Sequence, residues 1–101
     1  SLPEADVERV RDVLARAAAG EEGEIRYHAL RTRSAGARSF VSFHVQVPGE
    51  WSVQRGHDLL EAIEAEIRRE VPAATVFTHL EPVEDPLSYH DLALDRSPVL
   101  P

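Results

Sequence analysis

The spacing of apolar residues along the chain predicts two helices. Apolar positions recur every three or four residues from Pro3 to Ala19, the period of an amphipathic helix that ends at Gly20. The same period returns from Val53 to Glu70, after Ser52 as a helix cap and before Pro72 as a stop. In this second helix we expect the buried stripe to consist of Val53, Leu60, Ile63 and Ile67.

A two-residue alternation predicts the strands. From Ser39 to Val47, valine and phenylalanine alternate with polar residues, so this strand has one buried face and one polar face, and His44 lies on the polar one. We predict an earlier strand from Ile25 to Thr32, joined to it by a basic loop from Arg31 to Arg38, and a third strand from Ala74 to Leu80.

The order helix, strand, strand, helix, strand predicts an α+β fold. We expect an open sandwich with both helices on one face of a three-stranded sheet, which leaves the other sheet face uncovered. Residues 1–82 would form this domain. Residues 83–101 contain three further prolines, so we expect an irregular C-terminal tail.

Composition narrows the possible functions. A chain of 101 residues is one domain with a modest core, and dimerisation would add to its stability. The formal net charge of −7 repels nucleic acid and attracts cations. No apolar run is long enough to cross a bilayer, and the start at Ser1 without methionine favours a piece of a longer protein.

Histidines distributed over four segments point to metal binding. The chain has no cysteine and no methionine, so imidazole and carboxylate are its strong metal ligands, and together they suit a borderline ion such as zinc. His28 and His44 lie on the two arms of the predicted hairpin, where facing side chains could share an ion. His79 and Glu81 point to one face of the third strand, and His57 lies one helical turn before Glu61.

Other chemistries have weaker support. Nothing in the sequence pairs a nucleophile with a base, and no glycine-rich phosphate loop occurs, so we do not expect an enzyme. His90 in the tail is expected to face solvent, at most as a peripheral ligand. An arginine cluster could contact acidic partners or lipid headgroups, or simply be a solvated hairpin tip; its members are Arg26, Arg31, Arg33 and Arg38.

Four short segments together resemble the cytoplasmic C-terminal domain of cation diffusion facilitator transporters. They are Tyr27-His28-Ala29-Leu30-Arg31-Thr32-Arg33, Phe40-Val41-Ser42-Phe43-His44, Trp51-Ser52-Val53 with His57-Asp58, and His79-Leu80-Glu81-Pro82. The resemblance extends from the first helix to Pro82. It implies the same ferredoxin-like fold.

The resemblance also implies a function. The complete protein would carry an N-terminal membrane domain that exports Zn²⁺ or a similar divalent ion, and this chain would be its cytoplasmic, regulatory, homodimer-forming domain. Zinc at the dimer interface would be bound at positions resembling His28, His44, His57, His79 and Glu81.

Two departures from the family pattern bear on this site. Glu81 replaces an aspartate, and Leu80 replaces a polar ligand contributed across the dimer, so a paired site could be incomplete. The alternatives are a purely structural dimerisation module, whose histidines only decorate a hydrated face, and a free-standing metal carrier. Cobalt, nickel and copper compete with zinc at histidine sites, so the physiological ion stays open.

Overall fold

The computed structural model describes residues 2–84, which form two helices and three strands. In chain order these are α1 (Glu4–Ala19), β1 (Arg26–Ala35), β2 (Arg38–Val47), α2 (Val53–Glu70) and β3 (Ala74–Pro82). The order and the mixed sheet confirm the predicted ferredoxin-like α+β fold. Neither helix of residues 2–84 is long and apolar enough to cross a membrane.

Local signals begin and end the helices as predicted. The hydroxyl of Ser52 accepts a hydrogen bond of 3.0 Å from the Arg55 backbone N–H, which satisfies one of the exposed amides in the first turn of α2. At the other end, the Val71 backbone N–H donates to the Ile67 carbonyl, just before Pro72. Gly20 ends α1 in the same manner, by donating to the Arg16 carbonyl.

The sheet has the strand order β1-β2-β3. β1 and β2 form an antiparallel hairpin, and β2 and β3 run parallel through the α2 crossover. The inward side chains of β2 are almost completely buried: Val41, Phe43, Val45 and Val47 are 0–4% exposed. They pack with Val10, Ile63 and Ile67 of the helices, which places the core on one side of the sheet.

Three details differ from the sequence prediction. β1 continues to Ala35, so the predicted basic loop from Arg31 to Arg38 is wrong: Arg31 and Arg33 lie in the strand, and the turn is only residues 36–37. Gly36 has a φ of 63°, and the loop of two residues with glycine first is typical of a type II′ turn. The prediction that Val53 is buried is also wrong.

Val53 is 84% exposed because it is the first residue of α2 and lies outside the stripe that faces the sheet. The buried stripe consists of Gly56, Leu59, Ile63 and Ile67, with Leu60 only partly buried beside it. Just after β3, the Val83 N–H donates to the Val47 carbonyl at 2.7 Å. The predicted domain boundary at residue 82 stays a prediction. The rest of the predicted tail, with His90, lies outside the described residues.

A β-bulge interrupts β1 directly after His28. The pairing skips from His28 opposite His44 to Arg31 opposite Ser42, so Ala29 and Leu30 together oppose Phe43. Ala29 has a φ of 58°, which non-glycine residues rarely adopt. Because of the bulge, His28 and Arg31 lie on the open face although they are three residues apart.

Candidate metal centre

The strand register brings three of the predicted ligands into one row across the open face of the sheet. His28 on β1 pairs with His44 on β2, and His44 pairs with His79 on β3. The imidazole rings follow one another at centroid distances of 4.7 Å from His28 to His44 and 4.9 Å from His44 to His79. The hairpin and the parallel crossover thus place histidines from distant parts of the sequence side by side.

Glu81 lies two residues after His79 and joins this row. Its Oε1 is 2.8 Å from His28 Nε2, and its Oε2 is 2.8 Å from His44 Nδ1. One carboxylate therefore spans the two imidazoles, one oxygen for each. Because an ionised carboxylate only accepts hydrogen bonds, both ring nitrogens act as donors in this arrangement.

The cluster is screened from water to different degrees. The side chain of Glu81 is 7% exposed and that of His28 is 14% exposed, whereas His44 is 29% exposed. Burial alone would raise the pKa of Glu81, but hydrogen bonds from His28 and His44 and their positive charges outweigh it, so the pKa of Glu81 is below its ordinary value. The carboxylate is held ionised, as a metal ligand must be.

His79 lies at the rim of the cluster. Its Nδ1 is 3.9 Å from Glu81 Oε2, too far for a hydrogen bond, and its side chain is 66% exposed. Ligation by His79 therefore stays a prediction.

The donor set fits a transition metal ion. The ligand atoms of His28, His44 and Glu81 all lie within 4.8 Å of one another, and they are the candidate metal-binding group found among residues 2–84. Two imidazole nitrogens and one carboxylate oxygen match the ligands that zinc prefers, at bond lengths of about 2.0–2.2 Å. Three such ligands leave one position for a fourth.

The structure does not bring His57 into this cluster within one chain. His57 is on the exposed side of α2, where its Nε2 is 3.4 Å from Glu61 Oε1, and both side chains are more than half exposed. Leu80 points to the opposite side of the sheet from His79 and packs against Gly56 of α2. Ligation by His57 stays a prediction.

Sequence reasoning did not find the bulge that orients His28. Its signal was present: Tyr27 and Leu30 both pack against the core, yet they are three residues apart in a strand whose inward positions should alternate by two. Nor did it show that Nδ1 of His28 is buried and has no hydrogen-bond partner among residues 2–84. Metal-bound histidines ordinarily donate from their second ring nitrogen, and the described residues supply no acceptor for this one.

Sequence comparisons relate this chain to known proteins. A sequence model described as the cytoplasmic domain of cation efflux proteins matches residues 2–83. A transporter of Synechocystis, sll1263, whose function is uncharacterised, is 58% identical over 69 residues, which is 68% of this chain and 22% of that protein. The cation-efflux pump FieF of Pectobacterium atrosepticum is 30% identical over 56 residues, 55% of this chain and 19% of the pump. The chain thus spans about a fifth of these relatives.

Solved structures share the fold. A structure of CzrB, described as its Zn form, superposes with a TM-score of 0.72 and 34% identity, and the match covers 84% of this chain and 93% of that one. The metal-bound C-terminal domain of the CzcD transporter from Thermotoga maritima has a TM-score of 0.66 at 21% identity, with 84% and 99% covered. This chain therefore belongs to the cation efflux protein family, as its cytoplasmic domain.

Proposed function

We propose that this domain senses divalent metal for a cation efflux transporter by binding a zinc-type ion at a homodimer interface. The observation that carries the proposal is the convergence of His28, His44 and Glu81, with His79 at the rim. The whole protein would have an N-terminal membrane domain that moves the ion, and this chain would control that transport without catalysis. Support comes from CzrB, a relative at 34% identity whose structure is described as a Zn form.

A second copy would complete the coordination. A closed zinc site needs four ligands, and within residues 2–84 one chain offers three ligand atoms that lie within 4.8 Å of one another. His57 is exposed and is not in the cluster of its own chain, so in a dimer it is available to the cluster of the other copy. An ion held by ligands from two chains would draw the two copies together.

The energy of such a site is sufficient for a switch. An ion shifts a two-state equilibrium only by the difference in its affinity for the two states. A shift from 1:99 to 99:1 takes about 5.5 kcal/mol, and a structural zinc site supplies roughly 10–16 kcal/mol. A site that lacks one ideal ligand still leaves enough energy to close a dimer.

Calorimetric titration with zinc tests the binding step. The chain should bind zinc, and His44→Ala should weaken binding by at least about tenfold because it removes a central ligand. Binding should also release protons, because the ring nitrogens of His28 and His44 that donate to Glu81 must lose their hydrogens before they can bind the metal. Titrations in buffers of different ionisation enthalpy measure that release. No heat of binding at micromolar zinc would contradict the proposal.

Mixing two variants tests the contribution of His57. Consider a dimer of one His44→Ala chain and one His57→Ala chain. The His57→Ala chain keeps its own cluster, and the His44→Ala chain supplies His57 to it. The mixture should therefore regain one tight zinc site per mixed dimer, although each variant alone has none. If His57→Ala binds zinc as tightly as the unaltered chain, the ion is held within one copy and this part of the proposal fails.

A structural dimerisation module is the second candidate, and one observation favours it. Both oxygens of Glu81 already accept hydrogen bonds from histidines, so the cluster can stabilise the fold without an ion. Small-angle scattering with and without zinc separates the candidates. Metal sensing predicts a more compact dimer with zinc, whereas a structural module predicts the same scattering curve in both conditions.

A further inference from the structure

The hairpin of β1 and β2 carries a charge opposite to that of the rest of the chain. From Ile25 to Gly49 the sequence has four arginines and no aspartate or glutamate, a formal charge of +4 in a chain of −7. The remaining segments therefore hold all 18 acidic residues. Metal binding at the histidine row does not account for this separation.

Three of these arginines lie toward the turn of the hairpin. Arg33 pairs with Phe40 across the two strands, and Arg31 pairs with Ser42, so both side chains are on the open face. The guanidinium of Arg33 lies over the Phe40 ring at 4.4 Å from its centroid, and Arg38 donates to the Thr75 hydroxyl. These two contacts are with an aromatic ring and a hydroxyl, so neither of them neutralises the charge of its arginine.

Exposed aromatic surface adjoins the arginines. Phe77 on β3 is 58% exposed and lies beside Ser42, in the row next to Phe40 and Thr75. A shallow groove on this part of the sheet is lined by Arg31, Arg33, Phe40 and Phe77. We name Arg31, Arg33, Arg38, Phe40 and Phe77 the basic hairpin surface.

The topology places this surface at the same end of the domain as the start of α1. Arg16 near the end of α1 pairs with Glu66, and Glu21 just after α1 pairs with Arg55 in the first turn of α2, so the helices are antiparallel. The start of α1 is then near the end of α2, which leads within a few residues to Ala74 at the start of β3. Ala74 pairs with Ser39, beside the hairpin turn.

We propose that the basic hairpin surface binds the anionic phospholipid headgroups of the membrane in which the transporter resides. This rests on the proposed function, in which a membrane domain precedes α1, so that the chain leaves the bilayer at the end of the domain where the hairpin turn lies. Guanidinium groups pair with phosphate through two hydrogen bonds, and apolar side chains such as phenylalanine insert at the boundary between headgroups and acyl chains.

Charge separation would also orient the domain. An anionic bilayer attracts the arginine end and repels the acidic remainder, so the hairpin faces the membrane. The histidine row is about 20 Å from the turn, since six residues of β2 separate His44 from Arg38. Contact with lipid at the turn therefore leaves the metal cluster accessible.

A fluorescent label at the turn tests the proposal. The chain has no cysteine, so Ala37→Cys takes a single environment-sensitive dye, and Glu50→Cys, three residues beyond the opposite end of β2, takes the same dye as a control. The probes are vesicles of phosphatidylcholine alone and of an equal mixture with phosphatidylglycerol. The label at position 37 should report a less polar environment on the mixed vesicles only, and the label at position 50 should report water on both.

Charge-matched variants complete the test. One arginine near an anionic surface contributes about a fivefold gain in partitioning, so replacing Arg31, Arg33 and Arg38 by glutamine should weaken binding to mixed vesicles by well over tenfold. Replacing Arg11, Arg16 and Arg55 by glutamine changes the net charge equally but lies outside the surface, so binding should fall far less. Circular dichroism verifies that both variants are folded.

Three results would overturn the lipid proposal. The first is equal binding to both kinds of vesicle, and the second is an equal loss of binding in the two triple variants. The third is a label at position 37 that reports a less polar environment in the complete transporter reconstituted in neutral lipid but not on mixed vesicles. That result would make the occupant of the surface an acidic protein segment. Zinc titration of the same variants keeps the two proposals separate. The hairpin variant should bind zinc unchanged whether or not it binds lipid.

Discussion

His44 and Glu81 lie on neighbouring parallel strands, and His44 Nδ1 is 2.8 Å from Glu81 Oε2 although 37 residues separate them in the sequence. Glu81 lies further along the sheet than His44, opposite Gln46, so its side chain reaches back diagonally. The same carboxylate accepts from His28. The three candidate ligands thus lie close together in the fold, which would lower the ordering cost of binding an ion.

Replacement of Glu81 by glutamine tests whether zinc binding requires the negative charge of this side chain or only its shape. In Glu81→Gln the amide keeps the size of the side chain but removes the negative charge, so we expect zinc affinity to fall at least about tenfold. Glu61→Gln is the matched control, because Glu61 also faces a histidine but is exposed. Calorimetry on both variants checks this. A loss of equal size in the Glu61 variant would contradict the assignment of Glu81 as a ligand.

The bulge beside His28 offers a stabilising change. Ala29 adopts a φ of 58°, which costs an L-residue about 1–2 kcal/mol, whereas glycine adopts it freely. Ala29→Gly should therefore raise the free energy of unfolding by about 0.5–1 kcal/mol after the larger entropy of the unfolded glycine chain is counted. Urea denaturation measures this. Ala35→Gly, at a residue of the same strand without a positive φ, should instead lower stability.

Tyr27 should make the fold sensitive to alkali. Its hydroxyl is buried and has no hydrogen-bond partner within the described part of the chain, and burial together with the charge of Glu21 raises the pKa of Tyr27 to about 12. The fold favours the neutral phenol, so this contribution to stability is complete below about pH 10, the unfolded pKa, and is lost as the pH rises toward 12.

Tyr27→Phe removes both the unpaired hydroxyl and the titration. We expect stability at neutral pH to be unchanged or up to about 1 kcal/mol higher, since no hydrogen bond is lost. The advantage of the variant should widen above pH 10 in denaturation curves recorded from pH 7 to 12. A variant that is clearly less stable at neutral pH would show that the hydroxyl has a partner.

Gly56 sets the distance between α2 and β3. A methyl group at this position would lie 2.5 Å from Leu80 Cδ2, closer than van der Waals contact allows. Gly56→Ala should therefore destabilise the domain by about 1–3 kcal/mol, despite the better helix propensity of alanine. In the double variant with Leu80→Ala the clash is removed, so the two losses should be less than additive in a double-mutant cycle.

Much of the fold follows from the sequence because its signals are local. The alternation from Ser39 to Val47, the Ser52 cap and the apolar period of α2 each act within a few residues, and the bounds of α2 are those predicted. The prediction of the hairpin loop was wrong because Arg31 and Arg33 are polar residues on an open sheet face. Such residues resemble a loop in sequence, yet the backbone pairs with β2.

The site was only partly predictable for a different reason. That His28 faces His44 follows from the hairpin, and that His79 and Glu81 share a face follows from strand alternation. Which residue bridges the cluster depends on the register between β2 and β3, which have no short connection to fix it. Whether His57 takes part depends on a second copy, and one sequence has no signal for that geometry.

Anomalous diffraction at the zinc edge, from a crystal of the chain grown with zinc, tests the central claim most directly. We expect a zinc peak within about 2.0–2.2 Å of His28 Nε2, His44 Nδ1 and a Glu81 oxygen, with the fourth ligand from His79 or from His57 of a second copy. A zinc-loaded crystal whose anomalous peaks all lie away from these three side chains would contradict it.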